Sequence, residues 1–346
     1  MSVPAGAAHR EVNLAVLVGE HRPQIPAIEG VSTRFAVGSG LREALDGANA
    51  LLLWDFSATG LVDAWPAATT LEWVHLGSAG VDRVLTAAVA GSEVVMTNSR
   101  GVLDAAIAEY VLGLALAMVK DLPGTVLRQT RQRWEHRPTL RLAGTAALVV
   151  GPGSIGRAVG LLLAAVGVHV DAAGRSERAV ADGEPFGCVH GSADLAAVVS
   201  RYDLVVLTAP LTRETRGLID ATVLAKMRPG ARLINVGRGP LVDEQALVEA
   251  LQGGNLAGAA LDVVNHEPLP ADHPLWNCPG TIISPHMAGD AVGWREVVLD
   301  LFLENLRRFQ NGAPLLNVVD MSLGYVATQP GPVTPAFGTS RTQGVS

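Results

Sequence analysis

Cysteine is nearly absent from this chain: only Cys188 and Cys278 occur in 346 residues, far apart. Two isolated thiols supply neither a disulfide framework nor a paired redox motif, and they point to a reducing, cytoplasmic setting. Metal-ligand spacing is missing as well. The histidines are scattered, with no arrangement such as HExxH, so no metal is expected. Charge is sparse, at 17% of residues with a net value of −7, and a nucleic-acid partner would need a basic face. No apolar run is long enough to span a bilayer comfortably. The most apolar helical stretch, Ala105 to Val119, is short and carries Glu109. The opening MSVPAGAAHR shows no apolar h-region, so no secretory signal is expected, and no repeat of solenoid length occurs. What the chain does have is apolar mass: 49% of its residues are hydrophobic, which suits globular structure and allows two domains with separate cores.

Strand-like and helix-like segments alternate. NLAVLVG (13–19), TRFAVG (33–38), ALLLWDF (50–56), LEWVHLG (71–77) and EVVMTNS (93–99) read as strands. GLREALDG (40–47) and VDRVLTAAVAG (81–91) have helical spacing between them. A long helix from Asp104 to Val119 and an irregular polar stretch, Arg128 to Arg141, lead to a second series. That series comprises TAALVVG (145–151), VHVDAAG (168–174), YDLVVLTAP (202–210), ARLINVG (231–237), LAGAALDV (256–263) and TIISP (281–285). A helical run from Ala291 to Gln310 follows, and residues 326–346, rich in Pro, Gly and Thr, predict a disordered tail. Continuous apolar strands separated by helices imply parallel sheets covered on both faces, and so an α/β fold.

Gly151-Pro152-Gly153-Ser154-Ile155-Gly156 stands between an apolar strand and an apolar helix. In that context Gly151 serves the tight turn, Gly153 the approach of a pyrophosphate and Gly156 close helix–strand packing. The helix that begins there offers unpaired N–H groups to phosphate. An NAD enzyme usually places an acidic residue at the end of the following strand. Here Asp171 comes too early, and the strand ends in Gly174, Arg175 and Ser176, with Arg178 soon after. A guanidinium and a hydroxyl suit a 2′-phosphate, so NADP(H) is favoured, with NAD(H) as the alternative. A solvated loop arginine is the plainer reading of Arg175.

Three charged residues then follow strand ends in turn: Arg238 in LINVGRGPLVDE, Glu267 in ALDVVNHEPLP and His286 in TIISPHMAG. Loops at strand carboxyl ends are where open α/β sheets bind ligands. Each residue type is common without a function. As a set placed after a dinucleotide loop, they suit hydride-transfer chemistry.

The segments GPGSIG, TAPLTRETRGLI, MRPGARLINVGRGPLVDEQALVEAL, GAALDVVNHEPLP and SPHMAG resemble the signature blocks of the D-isomer-specific 2-hydroxyacid dehydrogenase family. LGSAGVD (76–82) and TNSRGVLDAAIAEYVLGLALAM (97–118) are similar to its substrate loop and crossing helix, so the likeness runs from Leu14 to Tyr325. The resemblance implies two Rossmann-like or flavodoxin-like doubly wound parallel-sheet domains with an active-site cleft between them. Residues 1–100 and 290–325 would form a discontinuous substrate-binding domain, and 101–289 the NAD(P)-binding domain. The implied activity transfers a hydride between NAD(P)H and a small 2-keto or 2-hydroxy acid. Carried over residue by residue, Arg238 would pair with the substrate carboxylate and polarise the keto oxygen. His286 would be the general acid of reduction, held by Glu267, whose charge favours the imidazolium. Backbone N–H groups of Ser78, Ala79 and Gly80 would hold the substrate carboxylate. Asp262 would bind the nicotinamide carboxamide, with Ala209, Pro210, Val236 and Gly237 near the nicotinamide and ribose. Ser154, Ile155 and Thr215 complete the cofactor-binding set. The apolar helix 105–119 would lie at a homodimer interface. Trp54, Phe56 and Trp294 lie near family pocket positions, although core or interface packing explains them equally well.

Within the family, Glu267 disfavours the formate dehydrogenases, in which Gln is expected. The long phosphoglycerate dehydrogenases add a C-terminal regulatory domain where a short tail is expected here, and an NAD-dependent phosphoglycerate dehydrogenase-like enzyme stays as an alternative. Arg175 and Ser176 favour the glyoxylate/hydroxypyruvate reductase branch. A dinucleotide-sensing corepressor on the same fold also keeps an Arg-Glu-His set, and turnover is what separates it from an enzyme. An amino-acid-acting Rossmann oxidoreductase would need a substrate lysine that the matching loops lack.

Overall fold

The computed structural model describes residues 10–54 and 60–327, so Phe56 and all but the start of the 326–346 segment lie outside the described residues. The chain forms two compact units, one from residues up to Val102 together with those from Val292 onward, the other from Leu103 to Ala291.

The first unit holds strands β1 (Val12–Leu17), β2 (Val31–Ala36), β3 (Ala50–Leu53), β4 (Trp73–Leu76) and β5 (Val95–Asn98), with short helices α1 (Leu41–Ala44), α2 (Leu61–Ala64) and α3 (Ala87–Ala90). Its five strands lie in the order β2-β1-β3-β4-β5, all parallel, the flavodoxin-like winding. The segment 81–91 has helical spacing throughout, yet only its last residues are helical. Thr86 accepts from the Val89 amide as an N-cap, which starts the helix there.

The second unit holds α4 (Asp104–Val119), α5 (Leu122–Thr130), β6 (Ala146–Val150), α6 (Ser154–Ala165), β7 (His169–Gly174), β8 (Val189–Gly191), α7 (Leu195–Val198), β9 (Leu204–Leu207), α8 (Ala221–Lys226), β10 (Arg232–Asn235), α9 (Glu244–Gln252), β11 (Gly258–Leu261) and β12 (Thr281–Ile283). Its seven strands are parallel and run β12-β11-β10-β9-β6-β7-β8. The order reverses between β6 and β9, which makes that edge the topological switch point of a Rossmann sheet. Alternate residues of each strand feed two separate cores. Leu148, Val205, Leu233 and Ala259 face one, and Ala147, Val206, Ile234 and Ala260 the other. Covering both faces is why these strands read as unbroken apolar runs.

Helix α4 buries Ile107, Val111, Ala115 and Val119 in the second of these cores, alongside Val159 and Leu163 of α6. Helix α5 begins ahead of the polar stretch that starts at Arg128 and runs into its first three residues. Asp121 caps it through the Gly124 amide, Pro123 sits in its first turn, and Arg137 donates to the Asp121 carboxylate at 2.7 Å.

The chain returns to the first unit through α10 (Trp294–Gln310), which starts after Gly293 in the left-handed region. Phe302 stacks on Trp73 at 5.6 Å between centroids, and Phe309 lies 5.2 Å from the same indole. Burying each such ring contributes about 1.5–3 kcal/mol. Beneath them His75 is wholly buried, its Nδ1 2.8 Å from Thr97 Oγ1, and burial lowers its pKa to about 3. The unfolded chain takes up a proton at this residue below about pH 6.5, whereas the folded one does not, so stability falls as pH drops from there towards 3. Between pH 7 and 5 this group should cost about 2 kcal/mol. Urea unfolding at the two pH values should show the loss in the wild type and a much smaller one in His75→Gln. Equal losses would remove the assignment.

Candidate active site

The loop after β6 is built around its glycines. Gly151 has φ +107°, and a Cβ there would stand 2.5 Å from the Ala209 amide nitrogen. A Cβ on Gly156 would meet the Gly151 carbonyl oxygen at 2.0 Å, so α6 can begin this close to the strand only with glycine at that position. Over Gly153 the space is open, with no protein atom within 4 Å of an added Cβ. Thr208 braces the turn from β9, its hydroxyl donating to the Gly151 carbonyl at 2.8 Å. The result is an uncovered backbone concavity at the N-terminus of a twelve-residue helix, and such a cradle fits a pyrophosphate. Ser154 opens that helix, its hydroxyl 3.3 Å from Asp104 Oδ1, and Ile155 packs against the core.

Arg238, Glu267 and His286 follow β10, β11 and β12, three adjacent strands whose ends are level. The Arg238 loop hangs from Asn235, which is buried. Its side-chain amide donates to the Arg238 carbonyl at 2.9 Å, and its oxygen accepts from the Gly237 amide at 3.1 Å. The half-buried guanidinium donates to the Gly237 carbonyl at 2.8 Å. Glu267 Oε2 lies 2.9 Å from His286 Nδ1. His286 adopts φ +55°, a conformation unusual for a residue with a Cβ, and its own amide donates to the Asp262 carbonyl at 2.8 Å. The Asp262 carboxylate, 2% exposed, gathers the whole turn. It accepts from Ser284 Oγ at 2.6 Å and from the amides of Met287 and Ala288 at 3.0 and 2.9 Å. Three donors on one buried carboxylate hold this left-handed backbone in place. Asn235 and Ser284 therefore belong to the site, although nothing in their local sequence marks them.

At the end of β7, Arg175 and Ser176 are exposed. Arg178 is engaged elsewhere, in a two-pronged pair with Glu184 at 2.7 and 2.8 Å. Asp171 is also turned away, its carboxylate accepting from Tyr202 and from the Cys188 amide. Beyond β9, Ala209 is buried and Pro210 exposed, and the Thr215 hydroxyl donates to the Pro210 carbonyl at 2.7 Å, bracing that loop. Val236 and Gly237 are buried. In the first unit, Ser78, Ala79 and Gly80 follow β4. Their carbonyls accept from the Ser99 amide, Asn98 Nδ2 and Ser78 Oγ respectively, which fixes the loop's backbone. Trp54 and Trp294 are both buried.

Residues 112–288 match the family profile described as the D-isomer specific 2-hydroxyacid dehydrogenase, NAD binding domain. The chain belongs to the D-isomer specific 2-hydroxyacid dehydrogenase family. A putative 2-hydroxyacid dehydrogenase of Haemophilus influenzae is 34% identical to this dehydrogenase over 251 residues, 69% of this chain and 78% of that one. A D-isomer specific 2-hydroxyacid dehydrogenase of Xanthobacter autotrophicus, solved with NADPH and MES, superposes with a TM-score of 0.76 at 30% identity over 92% of this chain and all of its own. The NADPH-dependent glyoxylate/hydroxypyruvate reductase of Sinorhizobium meliloti, solved with NADP and sulfate, gives 0.77 at 27% identity, covering 90% and 99%. The dehydrogenase is thus an NAD(P)-dependent oxidoreductase interconverting 2-keto and 2-hydroxy acids.

Proposed function

We propose that this dehydrogenase is an NADPH-dependent reductase of small 2-keto acids of the glyoxylate or hydroxypyruvate kind. The observation that carries the reading is the 2.9 Å contact between Glu267 and His286 Nδ1, which commits one ring nitrogen to the carboxylate and leaves Nε2 as the proton donor. When bound, the reduced nicotinamide supplies the hydride. His286 Nε2 delivers the proton to the keto oxygen. Arg238 pairs with the substrate carboxylate and stabilises the charge growing on that oxygen. The Ser78–Gly80 amides are assigned to the same carboxylate. Asp262 has a second task beyond holding the His286 turn, because Oδ2 accepts one internal bond and retains capacity for the nicotinamide carboxamide. The domain carrying the Gly151–Gly156 loop binds the dinucleotide, and the unit of the Ser78–Gly80 loop is the substrate-binding domain.

The 2′-phosphate falls to Arg175 and Ser176, exposed at the end of β7, since Arg178 is held by Glu184 and Asp171 by Tyr202. In purified protein, NADPH oxidation with glyoxylate or hydroxypyruvate should exceed NADH oxidation. Arg175→Ala should raise the KM for NADPH at least tenfold, the loss of one charge-assisted contact being worth about 1.5–3 kcal/mol, and should leave that for NADH nearly unchanged. Equal losses would sink the cofactor assignment. Dinucleotide binding without turnover of any 2-keto acid would instead favour a sensing role.

We further propose a cytoplasmic homodimer. Both cysteines are free thiols, and no helix among the described residues is long and apolar enough to cross a membrane. Leu116 of α4, Leu122, Val126 and Leu127 of α5, and Trp134 beyond it are exposed, an apolar surface costly to leave in water. Leu127→Glu should convert the dimer to a monomer in sedimentation. A wild-type monomer, or an unaltered dimer in the variant, would remove this face from the interface.

A further inference from the structure

At the other end of the second unit's sheet from Arg238, Glu267 and His286, four polar side chains converge on one point. Asp171 lies within β7, Cys188 just before β8, His190 within β8, and Tyr202 leads into β9. The pairing of Ala172 with Val189 and of Ala173 with His190 sets Asp171 beside Cys188. Cys188 and His190, two residues apart on an extended strand, share a face. Small Ala173 stands next to His190 and leaves room there. Cys188 Sγ is 3.1 Å from His190 Nε2, which is 2.9 Å from the Tyr202 hydroxyl, and that hydroxyl donates to Asp171 Oδ2 at 2.8 Å. A carboxylate oxygen of Asp171, Cys188 Sγ and a ring nitrogen of His190 all lie within 4.8 Å of one another.

The protons at this point are constrained. Tyr202 has one, and it goes to Asp171. The contact from His190 Nε2 to the phenol oxygen therefore requires a hydrogen on Nε2, which also faces the sulfur. So a ring N–H and the Cys188 sulfur are crowded against a carboxylate, with Asp171, Cys188 and His190 half-buried and Tyr202 buried behind them. Ligands of a tetrahedral zinc ion with bonds near 2.0 and 2.3 Å stand about 3.6 Å apart, so small rotations of these side chains bring all three onto one ion.

We propose that Asp171, Cys188 and His190 form a divalent-metal site of the zinc type, with water as the fourth ligand. The sulfur and imidazole select a borderline-soft ion over magnesium or calcium. Tyr202, bonded to Asp171, positions the carboxylate from outside the ligand shell. Binding is balanced. Cys188 loses its proton to solvent, His190 moves its hydrogen from Nε2 to Nδ1, and Asp171 binds as the carboxylate, so one proton is released per ion. The metal would tie the three-residue edge strand β8 to β7, which runs directly into Arg175 and Ser176.

The test uses the full chain, reduced and freed of metal with a chelator, and titrated with Co(II) as a spectroscopic probe. The wild type should develop a thiolate-to-cobalt charge-transfer band that saturates at about one equivalent and is displaced by Zn(II). Cys278→Ser should keep the band and Cys188→Ser should lose it. A second measurement needs no variant: Zn(II) should slow alkylation of Cys188, located by peptide mass, at concentrations that leave Cys278 unaffected. Absence of the band in the wild type, its survival in Cys188→Ser, or alkylation of Cys188 indifferent to Zn(II) would each overturn the proposal.

Discussion

Replacing His286 with Ala should lower kcat for 2-keto acid reduction by about 10²–10⁴-fold, the usual contribution of a positioned proton donor, and leave NADPH binding essentially intact. Asp262 holds the turn by the backbone amides of His286, Met287 and Ala288, so the turn survives loss of the imidazole. Glu267→Gln tests the partner. Glutamine can still accept from Nδ1 but brings no charge to the developing proton transfer, and kcat should fall by about tenfold or more. The informative variant is the double one. If Glu267 acts only through His286, then Glu267→Gln adds nothing once the ring is gone, and the two losses will not multiply. Measured kcat for the double variant equal to that of His286→Ala supports the pair. A further tenfold drop would mean that Glu267 has work of its own.

How much of this was legible beforehand follows from what each residue depends on. Segments such as TAALVVG and ARLINVG announce strands because their apolar residues alternate between two buried cores. The glycine loop is equally plain, since backbone conformation and close approach demand glycine whatever surrounds it. Strand β8 escaped notice because three residues, one of them His190, carry no apolar run. Helix α5 did too, although Asp121 followed by Pro123 is a start signal just ahead of the polar stretch. The charged trio stands out by position after strand ends. Its support does not: Asn235 and Ser284 matter through bonds to residues that only the folded sheet brings near, and the left-handed turn at His286 has no glycine or asparagine to mark it. Asp171 shows the same limit in reverse. Its place inside the strand rules it out as a ribose ligand, but its convergence with Cys188, His190 and Tyr202 depends on strand order and register.

Arg238→Ala should reduce kcat/KM for 2-keto acids by about 10³-fold or more, because one side chain is asked to do two things. It binds a carboxylate that is present in both substrate and transition state, and it stabilises charge on the keto oxygen that exists only in the transition state. The first loss appears in KM and the second in kcat, so both should change. Arg238→Lys separates them. An ammonium restores the charge without the planar fork, and it should recover part of the carboxylate binding while leaving kcat low. The loop itself should tolerate either change, since Asn235 grips the Arg238 carbonyl and the Gly237 amide, not the guanidinium. Steady-state kinetics with saturating NADPH would decide the matter, and a small primary alcohol of the substrate's carbon skeleton, lacking the carboxylate, should not bind competitively. If Arg238→Ala raises KM alone and leaves kcat unchanged, the guanidinium only binds the substrate, and polarisation of the keto oxygen must come from His286 by itself.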